Sequence, residues 1–297
     1  MRDIIKNFIN GLAFGITETV PGVSGSTIAI ILGFYGELIE AINHFTKDIK
    51  KYLRFAVPFL LGTAAGLLLF SSLINYLLEY YSLPAMTFFI GLIIGVIPLI
   101  YKKVRRPGEK ILVKDAALVL CPIILLVIIS NVKGAVGSAA DPAEAVKIVG
   151  APYMIFIFIA GVLAAAALII PGVSGSFVLL LFGVYPLVMY SVSSVGVYLT
   201  NVGDLKFLAD IMKVLVPLAA GIIVGGLAMA RVIERLLANH YRTTYSLILG
   251  LLTGSVYTLF KDPIVYRSGV TAQMIALGAA TLVCGAAASF FIGKKRL

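Results

Sequence analysis

Charge is scarce in this sequence. Asp, Glu, Lys and Arg make up 13% of its 297 residues, against 60% hydrophobic residues and a mean hydropathy of +1.05. A water-soluble domain of that size has too little interior to hide so much apolar side chain, so lipid must be the solvent for much of the chain. Histidine is nearly absent. His44 and His240 are the only two, and neither an H-x-x-x-H nor an H-E-x-x-H spacing occurs, so no metal is expected. There is no G-x-S-x-G elbow and no P-loop, and Ser24 and Ser174 have no histidine base beside them in sequence. A membrane-embedded lipid phosphatase or transferase would need a nucleophile and a general acid, which argues against an enzyme, and no cofactor is implied. Cysteine is down to two residues, Cys121 and Cys284, each inside an apolar run. They read as buried structural thiols. The opening "MRDIIKNFINGLAFG" lacks the apolar core and small-residue cleavage site of a signal peptide, and is expected to stay in the mature chain.

What charge there is has a pattern. The formal net charge is +10. In a soluble protein that would raise nucleic-acid binding. Here the basic residues cluster between apolar runs, which reads as a topology signal and leaves no nucleic-acid partner. A spanning helix needs about 20 mostly apolar residues. Six segments qualify: 55–78, 84–101, 112–130, 214–230, 245–260 and 270–292. Two more apolar regions, 4–42 and 152–195, are each interrupted by the same hexapeptide, PGVSGS, at residues 21–26 and 171–176.

The hexapeptide belongs to an internal repeat. At an offset of 150, Leu32–Tyr35 (LGFY) faces Phe182–Tyr185 (FGVY). Further on the offset becomes 159: Val57, Pro58, Gly62 and Gly66 match Val216, Pro217, Gly221 and Gly225, and Gly91 and Gly95 match Gly250 and Gly254. The expected organisation is therefore repeat 1 over 1–132, an extracytoplasmic linker over 133–149, and repeat 2 over 150–297. Each repeat reads as one re-entrant helical hairpin (4–42, 152–195) plus three transmembrane helices. Three crossings is an odd number, so the copies must be inverted. The fold class is an all-α polytopic membrane protein with an inverted-topology repeat. With both termini in the cytoplasm, 18 of the 24 Lys and Arg residues fall inside, as the positive-inside rule requires.

Non-helical backbone at membrane depth is tolerated only where protein buries it or water fills a cavity. Two hairpins entering from opposite faces would bring their tips together near the midplane, a recurring transporter arrangement. Pro21 and Pro171 end the incoming half-helices. Gly22, Gly25, Gly172 and Gly175 let backbone approach a ligand closely. Ser24, Ser26, Ser174 and Ser176 can cap the outgoing half-helices, read as "STIAIILGFY" and "SFVLLLFGVY", or offer a hydroxyl. The free amides of those helix starts, with Val23 and Val173 contributing theirs, suit an anion, above all a phosphate. A tight turn that merely packs two tips together is the plain structural alternative.

With its doubled PGVSGS, the flanking GFY and GVY, and the alternating apolar runs, the chain resembles the bacterial polyprenyl-phosphate transporter family (PopT) over essentially its whole length. The resemblance implies a flippase of the bacterial cytoplasmic membrane. It would return undecaprenyl phosphate from the outer to the inner leaflet for reuse in peptidoglycan and cell-wall synthesis, with residues 21–26 and 171–176 as the motif positions carried over. The chemistry agrees with it: the polyprenyl tail stays among the membrane lipids, and only the phosphate head needs help across.

Three further residues stand out. Glu18, three residues before Pro21, has Leu168 as its repeat partner, so the acid is asymmetric. It reads either as a group coupling transport to a proton or sodium gradient, or as a carboxylate bonded within its hairpin. Arg54 and Lys213 match at offset 159, one turn before Pro58 and Pro217. They read as head-group loading stations on opposite faces, or as ordinary snorkelling cations. A secondary transporter of a small soluble anion would use the same centre, a lipid-phosphate-modifying enzyme is the remoter alternative, and a homo-oligomer is compatible with either transporter.

Overall fold

A computed structural model describes residues 2–20, 23–105, 113–132, 142–200 and 205–296, and no strand occurs among them. The helices are α1 (Arg2–Glu18), α2 (Gly25–Ile31), α3 (Tyr35–His44), α4 (Ile49–Tyr80), α5 (Ser82–Val104), α6 (Val113–Val132), α7 (Pro142–Ala145), α8 (Ala151–Ile169), α9 (Gly175–Leu181), α10 (Tyr185–Thr200), α11 (Leu205–Asn239), α12 (Tyr241–Phe260) and α13 (Ala272–Arg296). Among the described residues six helices are long and apolar enough to cross a bilayer: α4 over Ile49–Ser71, α5, α8, α11, α12 and α13 over Ala272–Lys295. Two pairs, α2 with α3 and α9 with α10, pass the same test only when joined, and they bend by 120° and 118°. An all-helical chain with six to eight such segments is a polytopic membrane protein.

The helices extend beyond the apolar runs that announce them. The run 55–78 lies inside the 32-residue α4, and 214–230 lies inside the 35-residue α11. Asp48 starts α4 by accepting the Lys51 amide at 2.9 Å, which satisfies one of the helix's orphan donors. Within 152–195, α8 alone is 19 residues, long and apolar enough to cross a bilayer. Both cysteines are exposed on the protein surface, which corrects their reading as buried thiols. In a membrane helix the outward face is as apolar as the inward one, so an apolar run says nothing about which side a thiol occupies.

The chain divides into two compact units. Unit 1 holds residues 1–131, 170–173 and 230–297; unit 2 holds 132–169 and 174–229. In unit 1, α1 packs on α4. A Cβ at Gly11 would fall on the Phe59 carbonyl, one at Gly62 on the Phe8 carbonyl, and one at Gly66 on the Leu12 carbonyl. In unit 2, α8 packs on α11 at the equivalent places. Gly161 abuts the Leu218 carbonyl, Gly221 that of Phe158, and Gly225 that of Val162. Each contact is the other's counterpart under the offsets of 150 and 159. The corners repeat as well: Tyr81, between α4 and α5, has φ −135° and ψ 42°, and His240, between α11 and α12, has φ −133° and ψ 45°. The same contacts and the same corner thus recur at positions related by those offsets.

Unit 1 also exchanges helices between the repeats. Gly91 and Gly95 of α5 press on the Leu282 and Ala286 carbonyls of α13, whereas Gly250 of α12 presses on the Val119 carbonyl of α6. The middle helix of each repeat therefore packs against the last helix of the other. The core of unit 1 runs through Met86, Ile90, Val96, Ile100 and Leu252, all fully buried. That of unit 2 gathers Ile157, Ala160, Val184, Ile211 and Val214.

Between lipid-facing helices there is little hydrophobic driving force, so close van der Waals contact of small residues has to hold them together. Gly62→Leu and Gly221→Leu are therefore expected each to cost at least about 1–3 kcal/mol, since the obstructing atoms are backbone and cannot step aside. Gly36→Ala, where a Cβ would meet nothing, should be neutral or stabilising by up to about 1 kcal/mol. Thermal unfolding in detergent checks all three.

Candidate functional site

The described part of the first hexapeptide runs from Val23. Val23 donates its amide to the Val20 carbonyl at 3.2 Å, and the Thr27 amide closes on the Ser24 carbonyl at 3.0 Å. Ser24 is extended, at φ −102° and ψ 130°, and its side chain caps nothing; its Oγ lies 2.6 Å from Ser26 Oγ instead. The second hexapeptide has the same local form. Ser174 sits at φ −96° and ψ 132° without a side-chain cap, and its Oγ is 2.7 Å from Ser176 Oγ. Of the two roles expected of these serines, Ser24 and Ser174 do not cap their helices, and each hydroxyl pairs with the next serine's. Two adjacent hydroxyls can satisfy each other only in one direction, which leaves a second donor to give. Pro21 and Gly22 lie outside the described residues.

The glycines after the serines are required by contact. A Cβ at Gly25 would meet Glu18 Oε1 at 2.6 Å and the Phe14 ring at 2.7 Å; one at Gly175 would meet the Ala164 carbonyl at 2.7 Å and Leu168 Cβ at 3.5 Å. Phe14 corresponds to Ala164 and Glu18 to Leu168, so both helix starts lean on the same two positions of the preceding helix. In unit 1 the position is an acid, and the Gly25 amide donates to Glu18 Oε1 at 2.8 Å. A carboxylate on the first turn of a helix is favourable, because exposed N–H groups concentrate positive potential there. The anion-friendly end of α2 is thus occupied by the chain's own anion.

The turn Pro171–Gly172–Val173 belongs to unit 1 and touches the start of α2. Gly172, at φ +86°, donates its amide to Thr27 Oγ1 at 3.0 Å, and a Cβ there would lie 2.9 Å from the Leu251 backbone of α12. Both the positive φ and the close approach demand glycine. Thr27 follows the first hexapeptide directly, so part of the second hexapeptide docks against the helix that leaves the first. Ser24, Ser26 and Thr27 are all at most 2% exposed.

The outgoing helices are shorter than the sequence suggests. α2 and α9 end after seven residues, at Ile31 and Leu181. Gly33 (φ 72°) and Gly183 (φ 69°) then break the chain, and the amides of Phe34 and Val184 reach back to Ala29 and Leu179 at 2.9 Å and 3.1 Å. "LGFY" and "FGVY" are therefore helix ends with left-handed glycines, and Phe34 and Val184, both fully buried, pin the bends. The signal was present in the sequence: a glycine at the same offset of 150, followed by an apolar residue and a tyrosine.

The remaining expected residues lie elsewhere. Arg54, on α4, is exposed and lines two pockets of unit 1. Lys213, on α11 in unit 2, is ion-paired with Asp210 at 2.8 Å. Arg242, on α12, engages Asp115 of α6, with Nε 3.1 Å from Oδ1, in a part-buried pair that no sequence spacing announces. Glu234, near the end of α11, receives the Asn43 amide at 2.8 Å and stands 3.4 Å from His44 Nδ1, tying α3 to that end within unit 1. Among the described residues no cluster of three or more His, Cys, Asp or Glu could hold a metal ion.

The chain matches the VCA0040-like, undecaprenyl phosphate translocase-like family over residues 14–274. It is 33% identical over 255 residues to a polyprenyl-phosphate transporter of Staphylococcus aureus, covering 86% of this chain and 85% of that protein. It is 26% identical over 289 residues to a polyprenyl-phosphate transporter of Vibrio cholerae, covering 92% of this chain and 83% of that one. No solved structure matches it.

The Thr27 contact gives a test of the site's construction. Thr27→Val removes the acceptor of the buried Gly172 amide and is expected to cost about 1–3 kcal/mol, whereas Thr27→Ser keeps the hydroxyl and should stay within about 1 kcal/mol of the parent. Melting in detergent separates the two; equal melting of both variants would mean that the contact contributes nothing.

Proposed function

Since the chain belongs to the undecaprenyl phosphate translocase-like family, we propose that it is a flippase for polyprenyl phosphate, returning undecaprenyl phosphate across the bacterial cytoplasmic membrane for cell-wall synthesis. The two repeats stand inverted, with both termini in the cytoplasm, and each hexapeptide forms the tip of a re-entrant hairpin. The phosphate head is held at the tips by amides of Val23, Gly25, Val173 and Gly175 and by the hydroxyls of Ser24, Ser26, Ser174 and Ser176. Gly22 and Gly172 give the backbone room, Pro21 and Pro171 end the incoming arms, and the tail remains in lipid.

The observation that supports this reading most is the docking of Gly172 on Thr27 beside an α2 start that already holds a carboxylate. A centre that binds its own acid through a backbone amide has the donors a phosphate needs. Hydrogen bonds to a charged group contribute on the order of 1.5–3 kcal/mol each, so a handful offsets much of the cost of bringing an ion out of water. Ser24 and Ser26 are buried, so in this arrangement the first tip is closed, and a head group reaches it only when the turn opens.

Glu18 then has a specific task. Carboxylate and phosphate compete for the Gly25 amide, and two anions at that distance repel. Proton uptake by Glu18 clears the amide for the phosphate, and proton release expels it. A gradient drives transport through this exchange, with sodium as the other candidate ion. The second repeat carries Leu168 there, so one carboxylate serves the cycle.

Reconstituted protein tests the proposal. Proteoliposomes should translocate a fluorescent polyprenyl phosphate and pass neither inorganic phosphate nor sulfate; the reverse pattern would identify a transporter of small soluble anions. Glu18→Gln should fold normally and flip lipid at a rate that no longer responds to a pH gradient. An unchanged response would remove Glu18 from the coupling.

A further inference from the structure

A groove of about 640 Å³ lies in unit 1 between the start of α1 and the start of α4. Phe8 lines one side and Leu53, Val57 and Leu61 the other, and the three α4 residues remain 42%, 47% and 60% exposed. Lys50 and Arg54 stand on the same lining, one helical turn apart and so on one face. Neither has a hydrogen bond or ion pair among the described residues. Of the acids nearby, Glu37 is engaged by Lys6 at 2.8 Å and Glu40 by Lys51 at 2.9 Å, while Asp3, which shares the lining of a neighbouring pocket with Arg54, is ion-paired with neither cation. Arg54 also lines a neighbouring, more polar pocket of about 530 Å³ that includes Asn7 and Tyr52. The groove therefore has an apolar length and a cationic end, and among the described residues no ion pair neutralises the two cations there.

The second repeat does not reproduce this. The position of Lys50 becomes Ala209, and the position of Arg54 becomes Lys213, which Asp210 neutralises at 2.8 Å. Unpaired cations beside an apolar channel fit an amphiphile with an anionic head. The charge favours one kind. A phosphate monoester carries about −1.5 to −2 near neutral pH, matching two cations, whereas the phosphodiester of a membrane phospholipid carries one charge.

We infer that this groove is a binding site for polyprenyl phosphate outside the hexapeptide centre, with the phosphate between Lys50 and Arg54 and the first isoprene units along Phe8, Leu53, Val57 and Leu61. The inference rests on the reading that polyprenyl phosphate is the cargo. With the N-terminus in the cytoplasm, the groove opens on the inner leaflet and is the station where the lipid arrives or leaves on that side.

The test uses the full chain in nanodiscs of phosphatidylcholine. A polyprenyl monophosphate bearing a diazirine on its first isoprene units should label residues within 4–8 and 50–61 of the unaltered protein. Lys50→Ala combined with Arg54→Ala should weaken polyprenyl phosphate binding about tenfold or more and leave binding of the phosphate-free polyprenol unchanged. Val57→Trp, which fills the groove, should weaken both ligands by a similar factor. Labelling confined to other segments overturns the site, as does equal competition by phosphatidylglycerol, which would mark an ordinary annular lipid position. In both cases the transport reading survives, because the unaltered chain still binds the cargo. Failure of the unaltered chain to bind polyprenyl phosphate at all overturns the reading, and the groove with it.

Discussion

Hydrocarbon offers no partner for a backbone N–H or C=O, so a chain that leaves the helix inside a membrane must satisfy itself. That constraint organises the structure. The helix breaks at 32–34 and 182–184 are closed by the backward bonds of Phe34 and Val184. The hexapeptides are closed by their own turns, by Glu18 on the Gly25 amide, and by Thr27 on the Gly172 amide. Each closure uses a group that a polar ligand could replace.

The same constraint explains the glycines. Helices in lipid gain little from burying apolar surface against one another, so they must come close enough for backbone to touch backbone. Gly11, Gly62 and Gly66 achieve this for α1 on α4, and Gly161, Gly221 and Gly225 for α8 on α11.

Much of this was legible in the sequence, because close packing and tight turns both demand glycine and leave it at fixed intervals. The doubled hexapeptide, the offsets of 150 and 159, and Gly62 against Gly221 could be read directly. The breaks at Gly33 and Gly183 left only one trace, a glycine repeated at the offset of 150 before an apolar residue and a tyrosine, because a positive φ itself leaves no mark on an apolar run. The exchange of α6 and α13 between repeats was invisible for another reason: Val119 and Leu282 meet glycine through their carbonyls, which any residue possesses. Asp115 and Arg242 meet across α6 and α12, so nothing local links them. Cys121 and Cys284 were misplaced because hydropathy cannot separate the lipid face of a helix from its buried face.

The departures from the repeat bear on direction. A carrier made of two identical inverted halves would treat the two leaflets alike, and only the gradient could bias it. Here the differences fall on charge. Glu18 faces the Gly25 amide where Leu168 faces Gly175, and Arg54 forms no ion pair among the described residues where Lys213 pairs with Asp210. On the proposed cycle, these two asymmetries act at different points. The unpaired cations raise occupancy of a phosphate at one face, while the single carboxylate sets when the centre will accept it. Neither rectifies transport by itself: net direction comes from the gradient, and the two asymmetries set where a phosphate loads and when the centre accepts it. Packing glycines must be kept in both copies for the fold to hold, so charge is where the halves are free to differ.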